Sequence, residues 1–408
     1  SRAVAAAMTA PRGPVYLSLP REPLGAEITP SAPADVTPRP PASPAAPDRQ
    51  ALAEAAAILS QAANPLVICQ RGDTDGRLAA ALSALGAQHG IGTVAPFVVR
   101  NLLADDDPAS LGYAPNLIRE ADAVVVVDSP VPWIEALHAP DPAVPIIHIG
   151  PDPAFSRMPM RSYRSTLAIT GDPAATITAL TQAIATPLDV LAARHAALAK
   201  RTSFRAEARQ DQIAQARRSD PMGVEWLSHC LSEVMDEDAV IFSELGLVPA
   251  ALRLKGPNRL FSNPHSGGLG WAFPAALGAQ LARPGKLTIA AMGDGSYIFA
   301  NPVACHQIAE ALSLPVLIII KNNAMWNAVR RSVALAYPDG AAMRANEMPL
   351  TALNPVPDFS AIARASRAHS AHVATAEALP EALAEAVRII REEGRAALLD
   401  VRVAVSDA

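Results

Sequence analysis

Two textures alternate along the chain: short runs of uninterrupted apolar residues, and longer stretches in which Ala and Leu recur among polar residues at helical spacing. An apolar run of four to six residues reads as a strand buried on both faces, and such strands belong to parallel sheets covered by helices on each side. The pattern predicts strands at residues 66–69, 93–95, 123–127 and 145–149 in the first half. In the second half it predicts them at 239–242, 287–292, 316–320 and 396–401. Each half alternates strand with helix, so the expected fold class is α/β, with two doubly wound parallel-sheet domains.

The boundaries follow from the punctuation. Residues 13–19, GPVYLSL, alternate like one further strand, and a run dense in proline from Pro20 to Pro47 follows; proline removes donors and fixes φ, so a linker is expected over residues 29–49. Asp48 is a candidate N-cap for an Ala-rich helix ending near Asn64, which opens a Rossmann-like central domain over 50–185. Residues 186–219 are polar, Ala-rich and studded with arginine, as an exposed helical spacer would be. Asp220 and Pro221 then offer an N-cap with proline in the first turn, starting the second domain over 220–408.

Composition narrows the function classes. A net charge of -5 without a basic run gives no footprint for nucleic acid. No stretch approaches the roughly 18 apolar residues of a membrane span. Cys69, Cys230 and Cys305 are odd in number and far apart, which fits reduced thiols in a cytoplasmic protein better than a disulfide framework. The nine histidines show no ligand spacing for zinc.

Chemistry concentrates in one stretch. Gly293-Asp294-Gly295-Ser296 follows an apolar strand, and after 26 intervening residues beyond Gly295, past a helix and another strand, stands Asn322-Asn323. Both groups fall at carboxyl ends of strands, the edge where open α/β sheets bind ligands. Asp294 can supply a charge and Asn323 a neutral oxygen to one hard cation, while glycines at 293 and 295 let a phosphate approach backbone amides. Magnesium suits that donor set. A lone Gly-Asp-Gly is weak evidence, and its coupling to the Asn pair is what carries weight.

The segment GDGSYIFANPVACHQIAEALSLPVLIIIKNN resembles the thiamine-diphosphate enzymes of the acetolactate synthase and benzoylformate decarboxylase group. GGLGWAFPAALGAQLARP (residues 267–284) is similar to the group's glycine-rich helix start, and GPVYLSLPREPL (residues 13–24) to the end of its N-terminal pyrimidine-binding domain. Residues 1–28 are therefore expected to be the end of that domain, most of which the chain would lack. The spacing before the Asn pair is slightly longer than is usual in the decarboxylases of the group, and Asn323 is followed by Ala-Met-Trp rather than the commoner Gly.

The resemblance implies thiamine diphosphate and Mg2+ as cofactors. Asp294 and Asn323 would bind the metal through side chains and Met325 through its carbonyl. Gly293, Gly295, Ser296 and the backbone near Trp326 would contact the diphosphate, and Ser243 and Glu244, at the end of an earlier strand, would lie near it on the same cofactor-binding edge. Gly268 belongs to the glycine-rich start, and Leu269 would be the apolar wedge that bends the cofactor. The ring then serves as an electron sink for decarboxylation or carbon–carbon bond formation and cleavage. The Glu that activates it is expected from the N-terminal domain of a neighbouring subunit, so a homodimer or homotetramer is implied and this chain alone would be incomplete.

On the substrate side stand Trp326, Asn327, Arg330 and Arg331, with His265 as a candidate acid or base. An arginine there suits the carboxylate of a 2-oxo acid, and it equally suits a solvated helix face. RGDTDGR (residues 71–77) lacks the G-x-G-x-x-G pattern, and DSPVPW (residues 128–133) stands where flavin-binding relatives differ, so no flavin is expected. The alternative reading is a non-catalytic thiamine-diphosphate-binding or regulatory protein.

Overall fold

The computed structural model describes residues 1–27, 37–264 and 267–406. Two sheets, both wholly parallel, organise the chain. The first contains β1 (Pro65–Cys69), β2 (Gly92–Val94), β3 (Ala123–Val127), β4 (Ile146–Gly150) and β5 (Leu167–Thr170), in the order β2-β1-β3-β4-β5. The second contains β6 (Val240–Glu244), β7 (Leu260–Ser262), β8 (Thr288–Gly293), β9 (Leu317–Asn322), β10 (His369–Val373) and β11 (Ala397–Arg402), in the order β10-β11-β9-β8-β6-β7. Each of the predicted domain strands is present. The three that the apolar pattern missed, β5, β7 and β10, all lie at sheet edges, where one side stays open and polar residues alternate in.

Both sheets reverse direction after their second strand. The chain leaves β1 for β2 on one side and returns to β3 on the other; likewise β6 gives way to β7 and then β8. A crevice therefore opens at the carboxyl ends of β1 and β3, and another at those of β6 and β8. In the first, Arg71 pairs with Asp128 at 3.2 Å, and the Gln70 amide donates to Ser129 Oγ. The 71–77 turn is knitted by Arg77, which reaches Asp75 at 2.9 Å and Asp172 at 3.4 Å.

Asp48 caps the helix Arg49–Gln61 as expected, accepting from the amides of Gln50 and Ala51. Residues 13–19 do not form the expected strand: they join no ladder, and Tyr16, Leu17 and Leu19 are exposed. Alternation alone makes no strand without a neighbouring backbone to pair with. The helix Leu188–Arg218 falls in the stretch expected to be helical and is mostly exposed, yet it is anchored to the first domain. Arg194 is only 2% exposed, donating to the carbonyls of Leu59 at 2.6 Å and Ala62 at 3.0 Å, the unpaired end of the helix Arg49–Gln61. Arg201 and Arg205 reach Asn64 and Asp105 in the same domain. Asp220-Pro221 is not the start of the next helix, which runs Val224–Glu233 with Gly223 at its N-cap. The intervening backbone is committed elsewhere, since the Gly223 amide donates to Ala216 and the Met222 carbonyl accepts from Ala404.

Asn101 joins the two sheets' domains. Nearly buried, it accepts from the amides of Arg259 and Leu260 and donates to the Gly256 carbonyl, all within 2.8 Å. Among the described residues no helix is long and apolar enough to cross a membrane.

Candidate functional site

The site is built at the carboxyl edge of β6, β8 and β9. β8 and β9 run side by side with Gly293 opposite Lys321, so the residues that leave the two strands, Asp294 and Asn323, emerge together. The Asn323 amide donates to Asp294 Oδ2 at 3.2 Å, the Gly295 amide to Asp294 Oδ1 at 2.8 Å, and the Met325 amide to Asn323 Oδ1 at 3.1 Å. Each of these oxygens keeps a further lone pair. Asp294 is 3% exposed, and burial pushes its carboxyl up although surrounding amides pull the other way. No cationic side chain is hydrogen-bonded to it among the described residues: its hydrogen bonds come from backbone amides, and Lys321 acts on it only through space. Such a carboxylate is poised to take a cation.

The loop after β9 is held at both ends. Trp326 N–H donates to the Thr351 carbonyl and Leu353 N–H to the Ala324 carbonyl, each at 2.8 Å. Ala324 sits at φ 55°, a left-handed conformation costing a residue with a Cβ about 1–2 kcal/mol, and the Asn322 Oδ1 accepts its amide at 3.1 Å. Among the described residues the Met325 carbonyl accepts no hydrogen bond. One carboxylate on the turn after β8 thus stands beside a loop after β9 that carries one amide oxygen and one carbonyl without a hydrogen bond. Clusters of three or more His, Cys, Asp or Glu that could hold a metal are absent among the described residues.

The two glycines of the motif differ in purpose. A Cβ on Gly293 would meet Ser296 Oγ at 3.9 Å and the Leu245 carbonyl at 4.0 Å, no closer than van der Waals contact. A Cβ on Gly295 would come within 2.3 Å of Trp326 Cζ3, because the indole rests on that turn.

Glu244 is not free for a diphosphate. It is fully buried, and its carboxylate accepts from the amides of Gly270 at 2.7 Å, Trp271 at 2.6 Å and Ala272 at 2.8 Å, the start of the helix Ala272–Ala282. Negative charge at a helix N-terminus satisfies amides that no carbonyl can reach. Ser243 is buried on the opposite face of β6. Glu244 thereby fixes the glycine-rich turn: Gly270 has φ 92° and packs against the Phe299 carbonyl, Gly268 borders open space, and Leu269 projects, 42% exposed. His265 lies outside the described residues.

Beyond Trp326, the helix Asn327–Ala336 buries none of its side chains. Asn327 accepts from Arg330 Nε at 2.9 Å and donates to the Ser406 carbonyl, while Arg331 is exposed.

Sequence reasoning overlooked what lies beneath the loop. Asn322 Nδ2 donates to Asp400 Oδ1 at 2.9 Å, and His372 Nδ1 meets Asp400 Oδ2 at 3.1 Å. An acid inside the apolar run ALLDV was the available signal.

The fold and site define a doubly wound α/β protein whose oxygen-lined edge is suited to a polar ligand. Two family models match: the thiamine pyrophosphate enzyme central domain over residues 52–180, and the thiamine pyrophosphate enzyme C-terminal TPP-binding domain over residues 246–401. The chain belongs to the thiamine pyrophosphate enzymes. It is 28% identical to a benzoylformate decarboxylase of Pseudomonas aeruginosa, over 95% of this chain and 70% of that one. It is 26% identical to an acetolactate synthase large subunit of Parasynechococcus marenigrum, over 92% of this chain and 61% of that one. Among solved structures, a benzoylformate decarboxylase of Polynucleobacter necessarius shares the fold with a TM-score of 0.73 at 21% identity, covering 99% of this chain and 73% of its own.

Proposed function

We propose that this chain carries the diphosphate- and metal-binding half of a thiamine-diphosphate-dependent lyase or transferase acting on a 2-oxo acid or related carbonyl substrate. The observation that carries the reading is that the buried Asp294 carboxylate is hydrogen-bonded to the Asn323 amide, which joins its turn to the loop carrying the Asn323 side-chain oxygen and the Met325 carbonyl. Three oxygen donors with a single negative charge suit Mg2+, which keeps waters and takes its remaining charge from phosphate. The metal would sit on Asp294, Asn323 and Met325, and the diphosphate would lie against Gly293 and Ser296.

When bound, thiamine diphosphate supplies a ring that accepts the electron pair released by decarboxylation or carbon–carbon cleavage. The chain's own residues bind and orient. Glu244 holds the turn from which Leu269 projects to bend the cofactor, and Trp326 closes the diphosphate end from solvent. Arg330 and Arg331 offer guanidinium groups for a substrate carboxylate. The exposed apolar residues Val329, Leu335, Tyr337 and Leu350 support a site that is completed by a second protomer.

Calorimetric titration with thiamine diphosphate, with and without Mg2+, tests the reading beside Asp294→Ala. Metal-dependent binding that disappears in the variant is expected. Equal binding by both proteins would overturn the assignment.

A further inference from the structure

We infer that Asp400, braced by His372, is a positioning residue for the metal loop, acting through Asn322. The inference rests on the site reading above and adds residues from two strands that touch neither metal nor cofactor.

Asp400 lies on β11, between β10 and β9, in register with His372 on one side. It is 8% exposed, as is Asn322. Both carboxylate oxygens are used: Oδ1 accepts from Asn322 Nδ2 at 2.9 Å, and Oδ2 meets His372 Nδ1 at 3.1 Å. An ionised carboxylate only accepts, so it decides which way the Asn322 amide faces: NH2 toward Asp400, oxygen toward the loop. That oxygen accepts the Ala324 amide at 3.1 Å and holds Ala324 at φ 55°. On either side of Ala324 stand Asn323 and Met325, two of the three donors to the metal.

Without Asp400, only the Ala324 N–H favours that orientation. The Asn322 amide could turn over and set its NH2 against the Ala324 N–H, donor against donor, and the left-handed turn would lose its acceptor. The ladder to residues 351–353 would still hold the loop's far end. The defect would therefore be a misplacement of oxygens rather than unfolding. Residues that orient metal ligands from behind typically change metal affinity by about 10–100-fold when removed.

The test compares Asp400→Leu, which keeps the branched shape, is somewhat larger and suits an apolar strand, with Asp400→Asn. The amide can still accept from Asn322 and donate to a neutral His372, so Asp400→Asn is the conservative rescue. Amide hydrogen exchange on the free chain is read at residues 323–326 and, as a control, at β8. Binding of thiamine diphosphate is read with Mg2+ and with Ca2+, because Mg2+ demands a near-ideal octahedron and Ca2+ tolerates irregular geometry. In Asp400→Leu, exchange should rise at the loop and not at β8, and affinity should fall about tenfold or more with Mg2+ but less than about threefold with Ca2+. Asp400→Asn should resemble wild type in each. Unchanged loop exchange, a uniform rise across both segments, or equal losses with the two metals would overturn the inference. Wild-type chain that binds the cofactor with neither metal would instead overturn the site reading, and the exchange data would still decide whether Asp400 orders the loop.

Discussion

The Trp326 indole rests directly on Gly295, so close that a Cβ there would stand 2.3 Å from Cζ3. The ring also meets Phe299 edge-on, with centroids 5.8 Å apart. The turn carrying Asp294 and the turn carrying Asn323 are thus packed together as well as hydrogen-bonded.

Gly295→Ala forces the indole off this turn, and overpacking of this kind costs about 1–3 kcal/mol. Loss of stability should accompany at least a tenfold weakening of Mg2+-dependent thiamine diphosphate binding. Gly278→Ala, exposed on the helix Ala272–Ala282 with nothing within 4 Å, serves as the control that loses neither stability nor affinity. Comparable urea midpoints and affinities for the two variants would show that the packing is unimportant.

Glu244 binds three amides at the start of the helix Ala272–Ala282 without reaching solvent. Glu244→Gln places an NH2 where one oxygen accepted, and a lost charge-assisted bond with an unpaired amide should cost about 2–3 kcal/mol. Urea unfolding at unchanged slope would measure it. A change below about 0.5 kcal/mol would mean that the carboxylate's charge is not what holds the turn.

The inner strands of both sheets were legible because burial on both faces leaves an uninterrupted apolar run, as at residues 123–127 and 316–320. Edge strands such as His369–Val373 were not, since half their residues face outward and are polar. Asp294 and Asn323 could be paired from sequence because each ends a readable strand, and neighbouring strands bring their ends together. The hydrogen bonds of Glu244 were not legible for the converse reason: its three amide partners lie 26 to 28 residues away and meet it only through the fold. The Asp400–Asn322 bond spans 78 residues and depends on strand order, which no local pattern encodes. The arginines of the helix Leu188–Arg218 read as solvated, yet Arg194 reaches carbonyls more than 130 positions earlier.

Two buried histidines make stability depend on pH. Burial pushes His148 and His306 down from 6.5 to about 4. Each is therefore neutral in the fold and takes up a proton more readily when unfolded. Their contribution is fully present above about 6.5 and is lost as pH falls toward 4, amounting to roughly 1–2 kcal/mol per histidine by pH 5. Asp105 and Asp128, whose carboxyls burial pushes up, act in the opposite sense. The variant His148→Gln/His306→Gln isolates the effect: wild type should lose more stability between pH 7 and 5 than the variant does. Parallel pH profiles would mean that the histidines are charged in the folded protein.

Asp294 sets function against stability. Its carboxylate is buried and bonded only to amides, so in the metal-free chain its charge is held at a desolvation cost. Asp294→Asn removes the charge while keeping an oxygen for one amide. The metal-free variant should stay within about 1 kcal/mol of wild type, the amide bond lost to the new NH2 offsetting the relieved desolvation, while Mg2+ no longer strengthens thiamine diphosphate binding. Thermal unfolding with and without Mg2+ and cofactor reads both effects, because a ligand that binds only the folded state raises the midpoint. Wild type should rise with the pair and the variant should not. A variant that unfolds well below wild type without ligand, yet still responds to Mg2+, would show that Asp294 serves the fold and that the cation binds elsewhere.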